Sequence, residues 1–129
     1  MFSTNAYSYI NVLNKAADAS WLREQTIANN LANVDTPGYK RRDVDFQSVL
    51  RTELGNMKYR TLDEKVDNVD LGRLNARKYL DAVNYSYRID RNNVDVDTEN
   101  VELASEKIRY DALTDSMTQE FSRLQAAMQ

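Results

Sequence analysis

The chain has no cysteine and no histidine, and only one proline and three glycines among 129 residues. Without His or Cys there is no Ser-His-Asp or Cys-His relay, no zinc site of nitrogen and sulfur ligands, and no disulfide or thiol chemistry. Gly38, Gly55 and Gly72 lie far apart, whereas a phosphate-cradling loop needs several glycines within about eight residues. No apolar stretch approaches the roughly 20 residues that span a bilayer, and Met1 to Ala6 lacks the basic and apolar parts of a cleaved signal peptide. If the protein leaves the cytoplasm, it does so by a route that spares its N-terminus. The net charge is −3, and Lys40-Arg41-Arg42 is the only basic run, so there is no nucleic-acid footprint. No cofactor, resident metal, small-molecule substrate or catalysis is expected.

What is abundant is amphipathic. Eight tyrosines and thirteen asparagines stand beside three Phe and one Trp, a composition suited to wet, partly buried contacts more than to a dry interior. The length fits a single domain.

From about Asn5 to Val34, Ala6, Ile10, Leu13, Ala17, Ser20, Glu24, Ile27, Leu31 and Val34 recur in alternating steps of four and three, the stripe of an α-helix. Trp21, Ala28 and Ala32 widen it. Thirty uninterrupted residues would reach about 45 Å. Asp35-Thr36-Pro37-Gly38 predicts a turn, since Pro37 disfavours helix at Thr36 and Gly38 permits a positive φ. A second helix is expected from Thr98 to the chain end, capped by Asp97 or Thr98 and favoured by acidic residues in its first turn. Val101, Ala104 and Ile108 form one of its stripes, and Tyr110, Leu113, Met117, Phe121, Leu124 and Met128 the next.

The middle is different. Asp45 to Glu53 reads as a short helix with Phe46, Val49 and Leu50 on one side. Tyr85, Tyr87 and Ile89 alternate with polar residues as in a short strand. Residues 55–75 show no period and read as loop, or as structure formed only with a partner. Asn93, Asp95 and Asp97 alternate like calcium ligands, but the sixth loop position lacks Gly and the twelfth lacks Glu, so they are better placed as charges at a helix start. Asp43 and Asp45 could be posed as an acid/base pair, yet a lone carboxylate pair beside a turn is usually solvated. The basic excess sits in residues 39–65 and the terminal helix is acidic, a complementarity that orients subunits.

The expected fold is therefore mainly α. Two long terminal helices pair as an antiparallel coiled-coil-like unit around an extended or irregular middle, with a short helix and a short β-strand or hairpin. Residues 1–38 form the first helix and turn, 39–97 the middle and 98–129 the last helix, the two helices making one core domain. A lone helical pair leaves much of each helix in water. Tyr7, Tyr9 and Trp21 on such a helix read as contact anchors, and the terminal helices as largely disordered until assembly covers them.

Ile27-Ala28-Asn29-Asn30-Leu31-Ala32-Asn33-Val34-Asp35-Thr36-Pro37-Gly38-Tyr39-Lys40 resembles the N-terminal signature of the bacterial flagellar rod and hook proteins. Asn92-Asn93-Val94-Asp95-Val96-Asp97 resembles the C-terminal motif of the proximal-rod members, with Arg91 where Gly is common and Asn100 where Met is frequent. The terminal helix, Lys107 to Leu113 and Phe121 to Met128, is similar to that of a short proximal-rod protein. The sister FlgC usually carries a Ser-Arg-Ala-Tyr-Gln-Ala-Asn run there. The resemblance covers roughly residues 5–54 and 85–129.

It implies a structural subunit of the proximal rod, self-assembling into a helical tube that transmits torque and encloses the export channel. The location implied is the basal body on the periplasmic side of the inner membrane, reached without a cleaved signal. Implied partners are other rod proteins (FlgC, FlgF and FlgG types), the adaptor FliE, the membrane-ring protein FliF and the flagellar export apparatus. Asn29, Asn30, Leu31, Asn33, Thr36, Pro37, Gly38 and Tyr39 are the expected assembly motif, with asparagine amides bridging subunits. Tyr39 to about Leu54 is expected to be extended against neighbours. Ile10, Leu13, Trp21, Ile27, Val34, Ile108, Tyr110, Leu113, Met117, Phe121 and Leu124 are the subunit-packing candidates. Phe46, Val49 and Leu50 resemble an export-gate recognition motif, although any amphipathic helix supplies such a pair. The competing readings are the sister FlgC and a soluble secreted coiled-coil adaptor or binding module.

Overall fold

The computed structural model describes residues 5–59, 61–81 and 88–129. Helix α1 spans Asn5–Ala32 and the last helix, α4, spans Val96–Ala127. Between them lie β1 (Arg42–Asp45), α2 (Gln47–Gly55), α3 (Leu62–Asp67), a 3-10 turn at Leu71–Arg73 and β2 (Arg77–Leu80).

The stripe predicted for α1 is its buried face: Ile10, Ala17, Ser20 and Ile27 are all buried. Its partner is α4, and the two run antiparallel, because Ser20 and Arg23 meet Glu106 while Asn30, further along α1, meets Glu99, earlier in α4. α1 ends at the expected turn. Gly38 takes φ 73°, a conformation open to glycine at no steric penalty, and its N–H donates to the Asp90 carbonyl at 2.7 Å.

Strands β1 and β2 form an antiparallel ribbon in the register Arg42↔Leu80 to Asp45↔Arg77. The ribbon closes an excursion that folds back over α1. Thr61 and Glu64 make a reciprocal capping box at the start of α3, satisfying two helix-end N–H groups at once. Val66 and Leu74 from this excursion are buried. Residues 55–75 are thus loop interrupted by α3 and the 3-10 turn, and two apolar anchors and local caps hold those elements in place.

Other expectations shift as well. The strand sits at Arg77–Leu80; Tyr85 and Tyr87 lie outside the described residues, and Ile89 is fully exposed in a turn. The segment after Tyr39 is extended only at β1 and then coils into α2. The cap of α4 is Asp95, whose side chain accepts from the N–H groups of Asp97 and Thr98; a carboxylate there both bonds the free N–H groups and meets the positive end of the helix dipole. On α4 the stripe of Val101 and Ile108 faces solvent, while Glu99 and Glu106 are buried.

The core is thin. Among the described residues Ile10, Ala17, Ala19, Ile27, Val44, Val66, Leu74 and Val94 are the buried apolar side chains, and they are matched one for one by Ser20, Thr26, Asn30, Asp43, Asn92, Asn93, Glu99 and Glu106. Half of the interior is polar, and its wiring determines what the helix pair can hold.

Candidate functional site

Arg23, on the inward side of α1, is the first hub. Its Nε and Nη2 fork onto the two Asp43 carboxylate oxygens at 2.8 and 3.3 Å, Nη1 donates to Glu106 Oε2 at 2.8 Å and Nη2 to Glu102 Oε2 at 2.8 Å. The planar guanidinium is the side chain able to serve α1, β1 and α4 together. Ser20 Oγ donates to the other Glu106 oxygen, and Arg109 Nη1 reaches Oε2 at 3.3 Å.

Arg41 is the second hub. It donates through Nε to Glu99, through Nη1 to Asp81 at 3.1 Å and through Nη2 to Asp43 at 3.3 Å. Burial disfavours its charge, yet its hydrogen bonds to Glu99 and Asp81 and the charges of Glu99 and Asp43 raise its pKa above the ordinary arginine value. For Arg23 the Asp43 hydrogen bond leads, outweighing burial, and again the pKa rises. Burial pushes the Asp43 carboxyl up, but the Arg23 hydrogen bond, the Val44 N–H and the two guanidinium charges hold it below the usual range. Asp43 is therefore a fixed anion between two fixed cations, with no acid/base role.

Asn30 is fully buried and uses all four of its hydrogen-bonding positions inside the chain. Its amide donates to the Arg42 carbonyl at 2.7 Å and Glu99 at 3.1 Å, and its oxygen accepts from Arg42 N–H at 2.9 Å and Tyr39 Oη at 3.1 Å. It has nothing left to bridge subunits. Asn30 and Tyr39 instead pin the turn and β1 to α1, so the expectation that Asn30 bonds between chains gives way to an intrachain role. Asn33 is local too, donating to the Asn29 carbonyl at 2.8 Å and accepting from Thr36 at 3.2 Å.

The second asparagine pair closes the other side. Asn92 Nδ2 lies 2.9 Å from each of the Asn33, Val34 and Thr36 carbonyls, so one side chain gathers three carbonyls of the turn that follows α1. Asn93 accepts from Arg41 N–H at 2.7 Å and donates to the Asp81 carbonyl at 3.1 Å. Arg91 just before them has φ 61°, the left-handed region where glycine is at ease.

The remaining candidates divide by exposure. Ile10 and Ile27 are buried within the chain, so they pack α1 onto its own neighbours and not onto another subunit. Leu13, Leu31, Val34, Tyr110, Leu113, Met117 and Leu124 are half-buried, as are Phe46, Val49 and Leu50. Asn29, Thr36, Pro37, Gly38, Trp21, Ile108 and Phe121 are exposed. Tyr7 is exposed, and Tyr9 donates to Asp63 of α3. Beside Phe46 and Leu50 a cleft of about 300 Å³ opens between α1, the β1–α2 junction and α4. Arg23, Arg41, Glu99, Glu102 and Glu106 are absent from the apolar stripes. Their trace is the spacing: stepping back from Tyr110 by four, four and three reaches Glu106, Glu102 and Glu99 on one face.

A helix pair with a polar interior and apolar side chains on the outside has the make-up of a structural subunit; among the described residues there is no grouping of metal ligands and no helix long and apolar enough to cross a membrane. The model of the flagella basal body rod protein family matches residues 11–40, the stretch from mid-α1 through the turn. The chain is 33% identical to the flagellar basal body rod protein FlgB of Bacillus subtilis over 129 residues, covering 99% of this chain and 95% of the relative. It is 31% identical to FlgB of Borrelia hermsii, with 90% and 87% covered, and 32% identical to FlgB of Salmonella typhimurium, with 68% and 69% covered. The chain belongs to the FlgB family of flagellar basal body rod proteins. By that membership it is a structural component of the bacterial flagellum.

Proposed function

We propose that the chain builds the proximal rod, assembling with its own copies and other rod proteins into a helical tube that carries torque and encloses the export channel. The observation that supports this best is the inverted polarity of α4. Glu99 and Glu106 are 1% exposed while Val101 and Ile108, on the opposite side, are 69% and 71% exposed. A solitary domain gains nothing from aliphatic side chains on the face opposite its interior, whereas a subunit in a wall has neighbours on both sides.

In this reading residues 1–38 and 98–129 supply one rod-core domain, its helices paired in coiled-coil fashion and gaining order as neighbours cover them, and 39–97 is its lateral excursion. Asn29, Leu31, Thr36, Pro37 and Gly38 present the turn to adjacent subunits, held in shape by Asn30, Asn33 and Tyr39. Trp21, Ile108 and Phe121 supply apolar contacts, and Phe46, Val49 and Leu50 serve export before the chain folds. FlgC-, FlgF- and FlgG-type rod proteins, FliE and FliF are its partners, on the periplasmic side of the inner membrane, and the export apparatus delivers it there with its N-terminus intact.

The test is complementation of a flagellated strain lacking its FlgB subunit. The chain restores rods and motility, whereas Val101→Glu with Ile108→Glu is exported and helical but builds none. Rods at the parental yield from that double variant, or a purified chain that stays monomeric at every concentration, would return the soluble adaptor to first place.

A further inference from the structure

We infer that Trp21 of one copy seats in the α1, β1–α2, α4 cleft of the next, so that neighbouring copies join head-to-tail. This rests on the rod reading and names the contact through which copies meet. The cleft is about 300 Å³ and takes its apolar lining from Ala16, Ala19, Val44, Phe46, Leu50 and Leu113. The small alanines on α1 are what leave it open. It has room for one aromatic side chain and is too small for a helix.

Trp21 is the chain's single tryptophan and is 54% exposed, the residue type most enriched among dominant interface contacts. At about 100° per residue, Trp21 points roughly 150° away from the mean direction of Ala16, Ala19, Ser20 and Arg23, at the same height along α1. Knob and hole therefore sit on nearly opposite sides of the molecule. They cannot meet within one chain, and a two-fold dimer cannot engage both pairs at once. A neighbour displaced sideways fills one hole and leaves its own free, and repetition of such a contact without closure gives an open helical array.

Charge agrees with this placement. Asp18, one turn before Trp21, is exposed. Arg109 stands at the cleft with its side chain 45% exposed, held by Glu106 at 3.3 Å. Seating Trp21 brings Asp18 toward Arg109. The acidic groups at the cleft are already engaged: Glu106 by Ser20, Arg23 and Arg109, and Asp45 by the Ser48 N–H at 3.1 Å.

The experiment uses the purified full-length chain, whose only tryptophan reports directly on the contact. Sedimentation and Trp fluorescence are followed against concentration for the parent, Trp21→Ala and the cleft-filling Ala16→Phe. The parent is expected to associate with a blue shift and protection from acrylamide. Each variant should need a concentration higher by about tenfold or more to associate, with parental circular dichroism. An equimolar mixture of the two has one intact knob and one intact hole, and should give dimers that do not grow. Should Ala16→Phe lose helicity, Leu50→Glu charges the same cleft from α2 and replaces it.

The inference is overturned if the parent stays monomeric, if Trp21→Ala associates as readily as the parent, if the parent associates without a fluorescence change, or if the mixture fails to dimerise. Incorporation into rods in cells separates the two levels. Equal incorporation of parent and Trp21→Ala removes this contact and leaves the rod reading standing, whereas a parent that never enters rods removes the rod reading itself.

Discussion

Replacing Arg23 with Met removes the guanidinium that joins α1, β1 and α4 while keeping most of the packing of its stem. Asp43 and Glu106 have side chains only 9% and 2% exposed, whereas Glu102 is 38% exposed. Removing one member of a buried ion pair costs about 3–5 kcal/mol, because the other is left charged without a partner. Two features place this case at the low end. Asp43 keeps Arg41 and the Val44 N–H, and Glu106 keeps Ser20 and Arg109. Glu102 is wet enough that its pair adds only about 0–1 kcal/mol. The expected loss is about 3 kcal/mol, a large share of the 5–15 kcal/mol typical of a domain, and it should lower the urea midpoint by about 1–3 M.

The pH dependence identifies the cause. The Asp43 carboxyl is held below its usual range in the parent. Its contribution is therefore complete above the unfolded value of about 3.9 and is lost as pH falls through the lower native value. In Arg23→Met, burial acts on Asp43 against weaker opposition, its pKa moves up, and protonation on acidification relieves the variant while the parent still holds its anion. Urea unfolding followed by circular dichroism should show the gap between the two proteins narrowing as pH falls from neutral into the carboxylate range. A gap under about 1 kcal/mol at neutral pH, or one that does not change with pH, would refute the hub role.

Three further outcomes are expected. Asn92→Ala strips an amide from three carbonyls of the turn after α1; each keeps another donor, in the Thr36 N–H, Arg88 and the Tyr39 N–H, so the cost should be about 1–2 kcal/mol, with faster amide exchange at Thr36 and Gly38 than in the parent. Arg91→Gly relieves a positive φ worth about 1–2 kcal/mol but loosens the unfolded chain by about 0.5–1 kcal/mol, so a thermal melt should show a net gain of about 0.5 kcal/mol. Tyr9, whose hydroxyl is bound by Asp63 near further carboxylates, is pushed up to about 12; burial raises Tyr79 as well, so in an ultraviolet titration the late-ionising absorbance should fall, but not vanish, in Asp63→Asn.

Helix α1 was legible because its inward residues are small or aliphatic and keep a regular step from Ile10 to Val34, and the turn was legible because Pro37 and Gly38 admit little else. The polar interior was not. Glu24 falls on that stripe and Arg23 beside it, and nothing in hydrophobic periodicity says that the arginine turns inward. On α4 the apolar pattern selects Val101, Ala104 and Ile108, whereas the face that meets α1 continues through Glu106, Glu102 and Glu99. A buried charge becomes visible only with its partners, here residues 58 to 79 positions away. A short strand or hairpin is expected in the middle, but its place is missed because all four residues of β2 are exposed, so burial imposes no alternation on them. The capping box of Thr61 and Glu64 was the readable local mark of α3. The asparagine signature carried the family correctly, but the number of neighbours each amide finds is a property of the folded turn.

A polar interior is a poor source of net stability, since a buried ion network gains little over well-packed apolar groups; what it supplies here is register. The apolar residues between α1 and α4 are mostly small, and sliding one helix by a turn would keep many of their contacts. The same slide would take Arg23 from Glu106 and Asn30 from Glu99, stranding buried charges. A subunit that must hold Trp21, Val101 and Ile108 at fixed heights toward its neighbours needs that penalty. Because the chain has no cysteine, register can be read by engineered crosslinks. With the network intact, Ala16→Cys should pair with Leu113→Cys, which lines the same cleft, and not with Met117→Cys one turn away. With Arg23→Met, Asn30→Leu, Glu99→Leu and Glu106→Leu, both crosslinks should form. Native-only crosslinking in the apolar form would show that packing alone sets the register, and the network would lose the role argued for it.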